Sequence, residues 1–164
     1  MKKSLFLLLL ACAVLISYPS FAEEIKRLSL DDVSAIGLKI ETDSKIKAEG
    51  KGSIKITTAW PTTVCLGEVT GIQIDNAKLV YRARVKTDLK GTAFLEMWCH
   101  VGGGQYFSKG MNSTAGGKED WKQIETPFLL KAGEKAEKVT LNLIINGIGT
   151  VWVDDAVLSR EPLK

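Results

Sequence analysis

Apolar and polar residues alternate along most of the chain with the two-residue period of β-strands, and not with the period of about 3.6 residues that marks helices. The clearest case is the segment from Lys78 to Thr87. Its apolar positions fall on one face and are Leu79, Tyr81, Ala83 and Val85. The pattern predicts a half-buried strand whose other face carries Arg82 and Arg84.

A second alternating segment runs from Thr92 to Val101, beyond residues 88–91. One side of it is apolar and carries Ala93, Leu95, Met97, Cys99 and Val101. The other side carries Phe94, Glu96, Trp98 and His100. If the apolar side lines the core, the second set faces outward beside Arg82 and Arg84.

Shorter segments complete an all-β pattern. Strands are predicted within residues 36–40, 53–58, 120–130, 138–146 and 151–158. Residues 102–118 are rich in glycine and small polar residues, which predicts a long loop, either unbroken or interrupted by a short strand that contains Tyr106 and Phe107. Gly147 to Gly149 predict a hairpin turn. About eight to nine strands at spacings of roughly ten residues, without a long helix, indicate an antiparallel β-sandwich of the jelly-roll type.

The N-terminus has the pattern of a secretory signal peptide. A short basic segment with Lys2 and Lys3 precedes apolar residues from Leu5 to Ile16, and Ser20 and Ala22 are the small residues before a cleavage site. A lipobox with Cys12 as the lipidated residue is the alternative. The apolar run is too short to span a bilayer comfortably, so the pattern predicts a periplasmic or extracellular protein without a transmembrane segment.

Residues 23–164 then form one domain, which is long enough for a substantial core and too short for two domains. Cleavage takes Lys2 and Lys3 from the 22 basic side chains and leaves all 19 acidic ones, so the mature chain is nearly neutral. A near-neutral domain argues against a nucleic-acid partner, which requires a concentrated basic surface. Cys65 and Cys99 remain, either as one disulfide or as two buried free thiols.

Three stretches resemble the landmarks of galactose-binding-like jelly-roll domains. They are Glu49 to Ile56, Trp121 followed by Thr126-Pro127-Phe128, and Gly149 to Leu158. Bacterial carbohydrate-binding modules attached to xylanases and glucanases carry a similar order of strands, and the resemblance spans residues 43–158. It implies that Trp121 and Trp152 belong to the core.

The resemblance also implies a structural calcium ion, because an aspartate of the last strand often binds one in such domains. Asp154, and after it Asp155, match that position. The chain departs from the family in lacking the N-terminal Phe-Glu landmark, and Arg27 to Leu30 stand in that region. Calcium requires about six to eight oxygen ligands, more than two aspartates supply. The alternative is that Asp154 hydrogen-bonds a loop backbone.

A sugar site needs an aromatic plane for the apolar face of a pyranose and planar polar side chains for its hydroxyl groups. The outward-facing candidates are Trp98, Glu96, His100, Arg82 and Arg84, with Tyr106 closing the site from the loop. Trp60 is a second aromatic candidate. The alternative is that Trp98 packs beneath the long loop, since large aromatic side chains are usually buried.

Catalysis is not predicted. His100 is the sole histidine, no G-x-S-x-G segment accompanies it, and the carboxylate arrangement of jelly-roll glycosidases is missing. The sequence therefore predicts an exported binding module, not an enzyme, that holds a polysaccharide or other glycan on a sheet face. The alternative is a structural or protein-interaction scaffold of the bacterial envelope that binds no glycan.

Overall fold

The computed structural model describes residues 22–31 and 33–163. These residues form no helix and eight strands, which are β1 (Glu23–Arg27), β2 (Lys39–Asp43), β3 (Ser53–Thr58), β4 (Thr62–Thr70), β5 (Ala77–Val101), β6 (Gly104–Lys109), β7 (Ala115–Leu130) and β8 (Ala136–Pro162). In this part of the chain, no helix is long and apolar enough to cross a membrane. The predicted signal peptide lies outside the described residues except for Ala22, and so does Cys12.

All strand pairs are antiparallel. The strand order is β2-β3-β8-β5-β6, while β1 and β4 also pair with β8 and β7 pairs with β5. The two longest strands, β5 and β8, therefore form a central ribbon to which every other strand except β2 is hydrogen-bonded directly.

The hairpin predicted at Gly147 to Gly149 is wrong, because β8 continues through these residues and pairs with β5 on both sides of them. Gly147 faces Gly91 across the ribbon, and Gly149 faces Leu89. A side chain at Gly91 would collide with the backbone of Asn146, and one at Gly147 with the backbone of Lys90. The glycines therefore allow the two strands to bend at close approach, and neither strand reverses there.

The bend divides the sheet into two layers. The first layer contains residues 77–89 of β5, residues 149–162 of β8, and strands β1, β2, β3 and β7. The second layer contains residues 92–101 of β5, residues 136–146 of β8, and strands β4 and β6. The apolar sides of both layers form one core, with Leu79, Tyr81 and Val85 from the first and Leu95 and Met97 from the second. The predicted all-β sandwich is confirmed.

The two cysteines lie on opposite faces of the second layer, so the disulfide between Cys65 and Cys99 is not formed. Cys99 belongs to the core and Cys65 is exposed, and both are free thiols. Side chains one residue apart on a strand point to opposite faces. Cys65 pairs with Asn142, on the outer side of β8, while Cys99 pairs with Val139, on the inner side. Burial raises the pKa of the Cys99 thiol to about 12.

Candidate functional site

The outward side of the second layer, here called the second-layer outer face, carries three of the six predicted binding residues, Trp98, Glu96 and His100. Its strands present Thr63, Cys65 and Glu68 from β4, Thr140, Asn142 and Ile144 from β8, Phe94, Glu96, Trp98 and His100 from β5, and Gln105, Phe107 and Lys109 from β6. The face therefore combines aromatic rings with planar polar side chains, as a sugar site requires.

Trp98 forms an aromatic pair with Phe107 on this face. It is half-buried and its ring centroid lies 5.1 Å from that of Phe107, with an angle of 44° between the ring planes. Its indole Nε1 donates a hydrogen bond of 2.7 Å to Glu96 Oε1. The ring is therefore fixed from two sides and part of it remains open to solvent.

Glu96 is 5% exposed although it lies on the outer side of the sheet. Besides the Trp98 indole, its carboxylate accepts a hydrogen bond of 3.5 Å from the Asn142 amide and lies 3.4 Å from Lys109 Nζ. A buried carboxylate requires such partners, because an unpaired one would be costly to desolvate. Glu96 therefore acts as a positioning group for Trp98 and offers little surface to a ligand.

His100 and Gln105 add polar groups next to the aromatic pair. They pair across β5 and β6, and His100 Nε2 lies 3.4 Å from Gln105 Nε2. Lys109 lies 5.1 Å above the Phe107 ring, which is within the range of a cation–π contact. The aromatic pair is therefore flanked by side chains that can donate and accept hydrogen bonds.

Tyr106 does not lie on the second-layer outer face. It pairs with Cys99, which points into the core, and Phe107 pairs with Trp98 instead. Gly102 and Gly103 have φ angles of 55° and 77°, the left-handed values that a two-residue hairpin turn requires. This turn fixes the register of β6, so Tyr106 is exposed on the other side of the edge strand.

The structure does not bring Arg82 and Arg84 beside Trp98. Both lie in the first layer, where Arg82 pairs with Glu125 and Arg84 pairs with Gln123. Because β5 continues through residues 88–91, the two halves of this strand are not neighbours across a hairpin. The two arginines face outward as predicted, but on the other layer.

Asp154 and Asp155 also lie in the first layer, where other groups of the chain bind their carboxylates. Asp154 Oδ2 accepts hydrogen bonds of 2.9 Å from the backbone N–H groups of Ala48 and Glu49, and its Oδ1 accepts one of 2.8 Å from that of Asp155. Asp155 forms an ion pair with Arg27.

These contacts do not fit a calcium ion. The polar atoms directed at Asp154 are N–H donors, whereas calcium requires oxygen ligands. The guanidinium of Arg27 already supplies the positive charge beside Asp155. Among the described residues, no group of three or more His, Cys, Asp or Glu side chains is arranged to hold a metal. Asp154 hydrogen-bonds a loop backbone, the alternative that the sequence left open.

A groove lies at the other end of the second-layer outer face. It has a volume of about 490 Å³ and its apolar floor is formed by the cross-strand pair Phe94 and Ile144. Pro61, Thr63 and Asn146 line its sides. Trp60 directly precedes Pro61 and its side chain is exposed. Its ring lies against Gly37, however, and does not line the groove.

Sequence reasoning missed Phe107, Lys109 and Asn142. The Gly102-Gly103 pair carried the missing signal, because a two-residue turn places residue 107 opposite residue 98. Asn142 alternates with apolar residues in a predicted strand, so its outward position could be predicted from the sequence. Its hydrogen bond to Glu96 could not, because it depends on the register between β5 and β8.

No protein-family model matches the chain, and a search of curated proteins finds no similar sequence. Solved structures do match in fold. A xylan-binding domain of CBM 22 superposes with a TM-score of 0.58 at 6% identity, and the match covers 87% of this chain and 97% of that domain.

Two further structures agree with this match. The CBM22-1 xylan-binding domain from Paenibacillus barcinonensis Xyn10C has a TM-score of 0.56 at 14% identity, covering 90% of this chain and 100% of that one. The CBM22-1-GH10 modules of Clostridium thermocellum endo-1,4-beta-D-xylanase 10B, complexed with xylohexaose, have a TM-score of 0.61 at 11% identity, covering 84% of this chain and 28% of that one. The chain therefore has the jelly-roll fold of carbohydrate-binding modules.

Proposed function

We propose that the protein is an exported, non-catalytic binding module that holds a carbohydrate on the second-layer outer face. The observation that carries the proposal is the half-exposed aromatic pair of Trp98 and Phe107 among polar side chains. The apolar face of a pyranose ring packs against such a pair, while its hydroxyl groups bind planar polar groups such as those of His100 and Gln105. The fold supports the proposal, because two of the domains that share it are named as xylan-binding.

The arrangement of carboxylates supports a role without catalysis. Glycoside hydrolysis requires two carboxyl groups that face each other within about 5 to 10 Å. Glu96 lies in the second layer, where its carboxylate accepts a hydrogen bond from Trp98 and pairs with Lys109. Glu125 pairs with Arg82 in the first layer. These two carboxylates therefore lie on strands of different layers.

Export is proposed from the basic and apolar pattern of residues 1–22. A periplasmic or extracellular location would give the protein access to polysaccharides of the envelope or the environment. Mass spectrometry of the mature N-terminus tests this step. A chain that begins at Glu23 supports cleavage after Ala22, and a chain that begins at a lipidated Cys12 supports the lipoprotein alternative.

A protein-interaction scaffold is the second candidate, and exposed apolar side chains near β6 favour it. Tyr106 and Phe107 are 56% and 55% exposed, and Met111 follows in the next loop with 66%. Exposed apolar side chains of this kind also occur at protein contacts. A stable protein complex that forms without any glycan binding would favour this candidate over the first.

A glycan array tests the proposed function. The processed protein should bind polysaccharide probes, and Trp98→Ala should abolish the signal without loss of folding. Trp121→Ala is the matched control, because Trp121 is also half-buried but lies on β7 in the first layer. Absence of binding to every probe, or equal binding by the Trp98→Ala variant, would refute a glycan site on this face.

A further inference from the structure

The groove at Phe94 lies on the same face as the aromatic pair but is separate from it. Phe94 and Ile144 are half-buried, and Ile144 also pairs with Thr63 of β4. The three side chains form one row across β5, β8 and β4. Pro61 and Asn146 line the groove beside this row. A half-exposed aromatic ring beside a carboxamide is the same combination that Trp98 and its neighbours present.

The groove at Phe94 and the aromatic pair at Trp98 are here called the two apolar places, and they are aligned along one strand, β5. Phe94 and Trp98 point to the same side of β5 and are separated by four residues, which corresponds to about 13 Å at the usual rise of a strand. The row between them contains Glu96 and Asn142, which are 5% and 7% exposed. Because these two side chains bind each other and are almost buried, they form a low polar floor between the two apolar places.

The row that contains Trp98 offers no comparable apolar place across the strands. On the β4 side it ends at Glu68, whose carboxylate accepts a hydrogen bond of 3.0 Å from Thr140 and lies 2.6 Å from Lys138 Nζ. On the other side it ends at Phe107, on the strand at the edge of this layer. The other apolar position of the face therefore lies along β5, at Phe94, beyond the polar row of Glu96 and Asn142.

We infer that the Phe94–Ile144 groove is a second subsite for the same glycan chain. This inference rests on the proposed function and adds to it the class of ligand and its direction. The ligand is a linear oligosaccharide segment that lies along β5, with one sugar ring on Trp98 and Phe107 and another on Phe94 and Ile144. A segment that spans about 13 Å is longer than one sugar ring, so a monosaccharide occupies only one of the two places.

Chain-length dependence tests the inference. The probes are an array of linear xylose, glucose and mannose oligomers, each printed from the disaccharide to the hexasaccharide, followed by titration calorimetry with xylohexaose and with the best hexasaccharide of the array. Affinity should rise with length in the wild type. Phe94→Ala should lower hexasaccharide affinity about tenfold and leave disaccharide affinity unchanged, since the contact residues whose truncation costs the most affinity are large side chains that fill a pocket.

Two further variants make the result interpretable. Ile144→Thr keeps a β-branched side chain and removes apolar surface from the groove, so it should reproduce the effect of Phe94→Ala if that variant folds poorly. Leu129→Ala is the matched control, because Leu129 is an exposed apolar side chain of β7 and pairs with Lys78 in the first layer. It should bind every length as the wild type does.

The outcomes separate the inference from the proposed function. If no oligomer of any length binds, both are overturned. If Trp98→Ala loses binding while wild-type affinity is independent of length and unchanged in Phe94→Ala and Ile144→Thr, the proposed function stands and the second subsite is overturned. Loss of long-chain affinity alone in both groove variants supports the second subsite.

Discussion

Trp98 and Trp152 lie in the two halves of the β5–β8 ribbon, Trp98 in the second layer and Trp152 in the first. The half that contains Trp98 is here called the open end and the half that contains Trp152 the closed end, because the two rings differ in exposure. Each points outward from its layer, and each donates its indole N–H to a carboxylate, Glu96 in the first case and Asp43 in the second. Trp98 is half-buried, whereas Trp152 is only 9% exposed.

The two tryptophans differ in exposure because different segments of the chain lie beside them. At the Trp152 end, the connection between β2 and β3 is fastened to β8, because Ala48 and Glu49 donate their backbone N–H groups to Asp154. Ser53 donates to the carbonyl of Ile46 within the same connection. At the Trp98 end, the adjoining chain is the short β6 hairpin, which places Phe107 beside the ring and leaves the ring partly exposed. The first layer therefore buries Trp152 under its own chain, and the second layer leaves Trp98 partly exposed.

The largest effect expected from this comparison is on stability. Trp152→Ala should lower the free energy of unfolding by about 3 to 5 kcal/mol, as is usual when a large buried aromatic side chain is truncated. Trp98→Ala should lower it by only about 1 kcal/mol, because the ring is half-exposed. Urea unfolding followed by circular dichroism measures both values. Equal losses for the two variants would contradict the distinction between a closed and an open end.

The next effect concerns the contact that closes the first layer. Asp154→Ala leaves the backbone N–H groups of Ala48 and Glu49 without their acceptor and should cost about 2 to 3 kcal/mol. Asp154→Asn is the matched control, because its amide oxygen retains one acceptor and should recover part of the loss. Hydrogen exchange at Ala48 and Glu49 should accelerate in the alanine variant. Unchanged exchange at these two residues would show that Asp154 does not hold the loop.

Much of the fold was predictable from alternation alone. Leu79, Tyr81, Ala83 and Val85 were predicted to face inward, and all four are buried. The predicted turn at Gly147 to Gly149 failed for a physical reason. A glycine permits both chain reversal and close approach of two backbones, and here Gly147 lies opposite Gly91 of the partner strand at close approach.

The site was predictable only where it depended on a single strand. The outward position of Trp98 followed from its neighbours on β5, but the place of Arg84 depended on whether residues 88–91 form a turn. The exposure of each tryptophan could not be predicted from the sequence either. Asp43, which accepts the hydrogen bond of the Trp152 indole, is far from Trp152 along the chain. The resemblance implied that Trp121 and Trp152 belong to the core, but neither belongs to the core cluster. Trp121 is half-buried on β7, and Trp152 is buried on the outer side of the sheet, between Lys55 and Lys86 of the adjacent strands.

Acid should weaken the closed end through Asp43. The backbone N–H of Ile46 and then the Trp152 indole hold the pKa of Asp43 below its ordinary value of 3.8. A carboxylate whose pKa is lower in the folded state stabilises the fold above its unfolded pKa, and this stabilisation is lost as the pH falls through the folded value. The stability difference between wild type and Asp43→Asn should therefore shrink as the pH falls from 5 towards about 2. A difference that does not vary with pH would contradict this role of Asp43.

The smallest effects are expected at Arg27, which pairs with Asp155 in the closed end. Arg27 binds Asp155 and lies 2.9 Å from Glu24, but its side chain is half-exposed, so Arg27→Ala should cost at most about 1 kcal/mol. Arg27→Lys should recover part of this loss, since the charge is kept. Neither calcium nor a chelator should shift the melting temperature of the wild type, because N–H donors already occupy the oxygens of Asp154. A melting temperature that rises with calcium in the wild type, and does not rise in Asp154→Asn, would place a calcium ion at this end after all.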